Sequence, residues 1–180
     1  MPSRHTIVSS VASTLAILLA FGCSSPGDAP PSQAPATTPP HSAAPAVNHL
    51  RIADDLPLLP PGIDTAARPP EVVRAVYEFA ARHPEVLKYV PCFCSCERMG
   101  HKGNADCFVG ARNTSGQVTQ WESHGMICEV CLDVGRESMQ MHNSGASTYA
   151  IREYIEKKYA PSGFGHTPTP MPTRGGGTDR

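Results

Sequence analysis

In the stretch KYVPCFCSCERMGHKGNADCFV, Lys88 to Val109, cysteine stands at 92, 94 and 96 and again at 107. Further on, CEVC supplies Cys128 and Cys131. Sulfurs at this density bond to one another, bind a metal, or exchange electrons. Six cysteines are an even count with fifteen pairings open to them. A Cys–X–Cys bridge, however, closes a ring too tight for ordinary disulfide geometry. Cys92, Cys94 and Cys96 would then each need a distant partner, and Cys107, Cys128 and Cys131 are the three left for them. A metal uses the same spacing more easily. Thiolates are soft ligands that select Cu(I), Zn(II) or iron–sulfur clusters. Structural zinc is typically held by two Cys–X2–Cys knuckles, and this chain has one. Cys–X–Cys–X–Cys suits bridging thiolates, each shared by two Cu(I) ions, so that six sulfurs hold several ions. Met99, Met126, Met139 and Met141 lie in or near the cysteine segments, and thioether is a Cu(I) ligand. Cu(I) is therefore the expected cofactor, with zinc the alternative.

Histidines accompany both cysteine blocks. His101 lies between Cys96 and Cys107, and His124 precedes Cys128 by four residues. Each is placed to ligate the metal or to hydrogen-bond a sulfur. If Ile127–His142 is one helix, Cys128, Cys131, Leu132, Gly135, Met139 and His142 share a face, which brings Met139 into the expected ligand set. That set is Cys92, Cys94, Cys96, Cys107, Cys128, Cys131, His101, His124 and Met139, with Met99 or Met126 as a shield. Glu97, Asp106, Glu129 and Asp133 read as solvated charges that tune the site. No catalytic residues are expected. CEVC has the form of a thioredoxin-type pair, but no βαβ pattern surrounds it, and Leu132 stands where haem attachment requires histidine. No nucleophile elbow, phosphate loop or pair of catalytic acids is present. The chain reads as a binding protein rather than an enzyme. The alternatives are a disulfide- or zinc-stapled interaction module and, behind it, a thiol–disulfide oxidoreductase using Cys128 and Cys131.

The elements that must position these residues are mostly helical. EVVRAVYEFAARH follows Pro69 and Pro70, with Val73, Val76, Tyr77 and Ala80 at helical spacing. A short turn in HPEVLKYV stops before Pro91, where the cysteine run begins. Residues around Asn113–Gly116 predict a short β-hairpin. GMICEVCLDVGRESMQMH predicts a helix ended by NSG, and STYAIREYIEKKY a last helix capped by Ser147. The expectation is a mostly α, small irregular helical domain over residues 69–160, built around a Cys-rich loop. A core of this size commonly needs a metal or disulfide staple.

The flanks read differently. Residues 1–22 resemble a lipoprotein signal: Arg4, an apolar run, then Gly22 directly before Cys23, the expected lipidation site. Residues 23–68 are expected to form a flexible Pro/Ala-rich linker. Ser24–Asn48 has seven prolines, no Phe, Tyr or Trp, and one acid, so it cannot bury enough apolar surface to order itself. Leu50–Ile63 is more apolar and is a candidate to dock as an irregular arm. Residues 161–180 read as a disordered tail. The net charge of −1 and pI near 6.7 offer no basic field for nucleic acid. The chain is thus expected to be exported, extracytoplasmic and membrane-anchored through Cys23, with a copper donor or acceptor protein as partner.

PCFCSC, then GHKGNADCFV, ESHGMICEVC and IREYIEKKY together resemble the bacterial lipoproteins named for a PCYCGC motif. The resemblance covers Glu71 to Tyr159. It implies that Cys92, Cys94, Cys96, Cys107, Cys128 and Cys131 are the family's cysteines, accompanied by His101 and His124. Two positions depart from the motif. Phe93 replaces its tyrosine, and Ser95 replaces its glycine, which makes any positive φ there less comfortable.

Overall fold

A computed structural model describes residues 49–174. The expected signal (1–22), Cys23 and the proline-rich part of the linker up to residue 48 lie outside the described residues, as does the end of the tail. Five helices and one hairpin are present among the described residues. The first helix, α1 (Pro70–Arg82), starts with proline at its first position and carries Glu71 in its first turn and Arg82 in its last, charges that suit the ends of the helix dipole. It buries Val73, Val76, Tyr77 and Ala80, the residues expected from the periodicity, together with Phe79 and Ala81. His83 breaks it, and α2 (Pro84–Leu87) follows as a single turn.

The hairpin forms where expected. β1 (Val109–Arg112) pairs antiparallel with β2 (Val118–Trp121), with Val109 opposite Trp121 and a bulge beside Ala111. Its turn is set by Asn113, whose Oδ1 accepts from the Ser115 and Gln117 amides at 3.1 and 3.0 Å, and by Gly116 at φ 84°. Arg112 reaches from β1 to the carbonyls of Ala80 and Ala81 at 2.8 and 3.0 Å. It thereby caps the end of α1, a favourable place for a cation.

After β2 come α3 (His124–Ile127), α4 (Glu129–Asn143) and α5 (Thr148–Tyr159). Ser147 caps α5 through its Oγ, which accepts from the Ala150 amide at 3.2 Å. α1 and α5 both pack on α4. Gly135 permits the first of these contacts, since a Cβ there would come within 2.7 Å of Val76 Cγ1. Tyr77 binds the hairpin to this layer. Its ring meets Phe108 and Trp121 edge-on at 5.2 and 5.5 Å, and its hydroxyl donates to the Glu122 carbonyl at 2.7 Å. No helix among the described residues is long and apolar enough to cross a membrane.

The packed region extends beyond residues 69–160 at both ends. On the N-terminal side, Leu50–Ile63 docks as an irregular arm. Leu56, Leu59 and Ile63 are buried, the Leu59 amide donates to the Leu50 carbonyl at 2.8 Å, and Trp121 Nε1 donates to the Pro57 carbonyl at 3.0 Å. Three buried aliphatic side chains offset the ordering of a segment too irregular for helix or strand. On the C-terminal side, the expected disordered tail is ordered as far as residue 174. It runs as an extended strap, with Thr167 fully buried and the Thr169 and Pro170 carbonyls accepting from Arg152 at 3.3 and 3.1 Å. The alternation of threonine and proline keeps this segment extended. Buried Arg152 on α5 supplies the donors that hold it.

Candidate metal centre

The loop that carries four of the cysteines leaves α2 at Pro91 and returns to β1 at Val109. Its base is closed by the Asn104 amide, which donates to the Val90 carbonyl at 2.8 Å. Cys92 is pinned by the strap through two reciprocal bonds. Its amide donates to Thr167 Oγ1 at 2.9 Å, and the Thr167 amide donates to its carbonyl at 3.1 Å. The chain then turns at Ser95, which lies in the left-handed region at φ 60° and ψ 22°. Among the described residues it is the one non-glycine with positive φ. The discomfort expected from serine in place of the motif glycine is therefore realised. Replacing Ser95 by glycine should raise the stability of the metal-free protein by about 1 kcal/mol, because a left-handed non-glycine residue costs roughly 1–2 kcal/mol and glycine's added chain entropy returns part of that. Urea denaturation of the two proteins measures it, and an unchanged midpoint would refute it.

This left-handed turn leads into a single 3-10 turn, Cys96–Met99, ended by Gly100 at φ 90°. A second 3-10 turn, Asn104–Cys107, brings Cys107 back beneath Cys92. The other pair arrives from α3 and α4. A continuous helix through Ile127–His142 was the expectation, and the structure corrects it. Cys128 is extended, at φ −101° and ψ 103°, and caps α4 rather than lying within it. Its Sγ accepts from the Cys131 amide at 3.3 Å, the role that serine or aspartate usually plays. Sulfur and backbone thus cooperate to break the helix, and both cysteines end at the N-terminus of α4. Arg68 braces this turn with a two-pronged bond to Asp133, at 2.9 and 2.5 Å, and a 2.5 Å contact to Glu129. Asp133 is thereby largely withdrawn from solvent, while Glu129 stays exposed, as expected, in its ion pair. Gly125 in α3 lies flat against the loop. A Cβ there would sit 2.4 Å from the Cys107 carbonyl oxygen and 2.5 Å from the Phe108 ring.

The six sulfurs form one continuous group. Cys92 Sγ lies 3.2 Å from Cys94, 3.4 Å from Cys131 and 3.4 Å from Cys107. Cys94 is 3.4 Å from Cys131, Cys96 is 3.9 Å from Cys107, and Cys131 is 2.6 Å from Cys128. Two imidazoles, their ring centroids 5.7 Å apart and edge to face, flank the group, with His124 Nε2 3.7 Å from Cys94 Sγ and His101 Nδ1 3.5 Å from Cys107 Sγ. Around a tetrahedral ion with metal–sulfur bonds near 2.3 Å and metal–nitrogen bonds near 2.0 Å, neighbouring thiolates lie about 3.8 Å apart and a thiolate and imidazole about 3.5 Å apart. The Cys96–Cys107 separation and both sulfur–imidazole separations lie near those spans, and the other sulfur pairs are closer together. Four groups each place their donor atoms within 4.8 Å of one another: Cys94–His124–Cys128–Cys131, Cys92–Cys94–Cys96, Cys92–Cys107–Cys131 and Cys96–His101–Cys107.

Hydrogen bonds from Cys107 and then Cys131 pull the Cys92 thiol down to about 5. Hydrogen bonding to Cys131 and Cys92, with burial behind it, holds the Cys107 thiol well above its ordinary value. The Cys94 thiol is pulled down as well, by hydrogen bonds from Cys107 and then Cys128, so two thiolates, Cys92 and Cys94, are stabilised by protonated neighbours. A cation that enters the group must displace those protons, which couples uptake to pH.

All six cysteines and both histidines named from the sequence therefore meet at one place. Met139 does not join them. It lies eight residues beyond Cys131 on α4, about 12 Å along the axis, and packs against the apolar core. His142 is further still, with its ring against Phe79 and His83 at 5.5 and 4.5 Å. Met126 is buried in the core, and Met99 is exposed on the outer face of its turn. Some residues that build the site carried no motif. Asn104 donates to the Cys131 carbonyl at 3.2 Å and ties the two cysteine blocks together. Arg152 holds the Tyr89 carbonyl, at 2.7 Å, beside the start of the loop. Thr167 sits in a stretch whose alternating prolines signal extension but not its destination.

No curated protein and no solved structure matches the chain. The family model described as "Protein of unknown function with PCYCGC motif" matches residues 12–172, and the chain belongs to that family.

Proposed function

We propose that the protein binds Cu(I) as a multinuclear thiolate cluster and serves to sequester, deliver or detoxify copper outside the cytoplasm. The observation that carries this reading is the continuity of the sulfur group. Cys92 and Cys131 each touch sulfurs from both cysteine blocks, the arrangement that bridging thiolates require. Soft sulfur with imidazole at the margins suits Cu(I). In this reading the protein has no turnover. The chain is exported and anchored by lipid at Cys23, and a copper-carrying protein of the same compartment exchanges metal with it.

A second reading is zinc. It is favoured by Cys94, His124, Cys128 and Cys131, which by themselves make up a complete four-ligand zinc set. The domain would then be a stapled interaction module.

Anaerobic native mass spectrometry separates the two. The domain from Ser24 onward, titrated with Cu(I) against a competing chelator, should take up more than one copper ion and should lose that capacity when Cys92, Cys94 and Cys96 become serine. Zinc retained against excess Cu(I) would favour the second reading. A protein six hydrogens lighter, holding three disulfides and no metal, would refute both.

A further inference from the structure

The eight donors are not equivalent. They divide into two sets of the same composition, each with three sulfurs and one imidazole. One set is Cys94, His124, Cys128 and Cys131, drawn from the tip of the loop and from the turn between α3 and α4. The other is Cys92, Cys96, Cys107 and His101, drawn wholly from the loop. Within the second set Cys107 lies 3.4 Å from Cys92, 3.9 Å from Cys96 and 3.5 Å from His101.

Exposure separates the sets. Cys94, His124 and Cys128 are each half-buried, and only Cys131 of their set is closed to solvent. Cys92, Cys96 and Cys107 are fully buried, and only His101 of theirs reaches the surface. The strap lies over the buried set, since Thr167 covers Cys92 through two hydrogen bonds and Gly165 presses on Glu97, next to Cys96. The outer set is bordered by Ile127, which is 74% exposed and directly precedes Cys128. The two sets meet where Cys92 Sγ stands 3.2 Å from Cys94 and 3.4 Å from Cys131.

We infer that the centre has an outer half that exchanges metal with solvent or a partner and an inner half that retains it. The inference rests on the metal-binding reading above. A thiolate on an incoming chelator or protein can reach an ion held by Cys94 and Cys128 without any movement of the chain. An ion held by Cys96 and Cys107 is covered by buried sulfurs and is reached past His101, through the outer half by way of Cys92 and Cys131, or after the strap lifts. Metal thus passes inward by ligand exchange between sulfurs already in contact.

The test is stopped-flow removal of copper from the fully Cu(I)-loaded protein by excess bathocuproine disulfonate, whose copper complex is coloured. Two phases are expected, separated by at least tenfold in rate. His124→Ala should accelerate the fast phase and leave the slow one unchanged, and His101→Ala should do the reverse. These half-exposed imidazoles are chosen because each touches the sulfurs of one half alone, whereas Cys92 contacts both. Circular dichroism of the metal-free variants verifies that the fold is kept. A single phase in the wild-type protein, or equal effects of the two substitutions on both phases, would overturn the two-half assignment while leaving copper binding intact. Failure of the wild-type protein to load any copper would instead remove the reading on which the assignment stands.

Discussion

Cys92→Ser should reduce copper affinity on the order of 100-fold or more and leave the metal-free fold in place. Cys92, like Cys131, contacts three other sulfurs, at 3.2 to 3.4 Å from Cys94, Cys107 and Cys131. Removing an outer-shell partner of a ligand typically lowers metal affinity 10- to 100-fold, and the loss of a bridging ligand is larger. Serine is the informative replacement, because its oxygen occupies nearly the same space and is a hard donor that Cu(I) does not favour. The backbone bonds between residue 92 and Thr167 do not involve the sulfur, so the strap stays closed. Competition titration with a Cu(I) chelator measures the affinity. Met139→Leu serves as the comparison and should leave it unchanged, since that thioether lies in the core at a distance from the cluster. A Cys92→Ser protein that binds as tightly as the parent would show that Cys92 is not a bridging ligand.

The largest effect on the fold should come from Gly125→Ala, at about 3 kcal/mol. Overpacking substitutions typically cost 1–3 kcal/mol when a flexible side chain can yield. Here the added methyl would meet the Cys107 carbonyl at 2.4 Å and the Phe108 ring at 2.5 and 2.6 Å. Cys107 is fixed within its 3-10 turn, and Phe108 is fully buried against Tyr77. The relief available is displacement of α3 from the loop. That movement carries His124 away from Cys94 and shifts Cys128 with it, so metal affinity should fall along with stability. For a domain of this size the melting temperature should drop by about 10 °C or more. Thermal unfolding by circular dichroism measures this, and a shift within 2 °C would show that the contact yields cheaply.

Some of this architecture is legible in the sequence, for identifiable reasons. α1 follows from Pro70 and a run of apolar residues at one helical spacing, and the hairpin follows from Asn113 and Gly116 between two short alternating runs. The meeting of six cysteines and two histidines is also legible, because soft ligands closely spaced in two blocks have few other uses. The break at Cys128 is less so. Periodicity runs straight through it, and the interruption depends on a sulfur acting as a helix cap. Met139 lies on α4 eight residues beyond Cys131, about 12 Å along the axis, a distance that a helical stripe does not encode. The strap was hidden because its composition is that of a disordered tail. Its order comes from Arg152, a residue of a different helix whose buried guanidinium needs the carbonyls that the strap provides.

The strap also fixes an order of events in the life of the chain. Thr167 lies 75 residues after Cys92, so every ligand leaves the ribosome before the residue that covers the first of them. Until then the sulfurs of the inner set stand open to oxidants and to any stray ion. Closure over Cys92 is therefore a late step in folding.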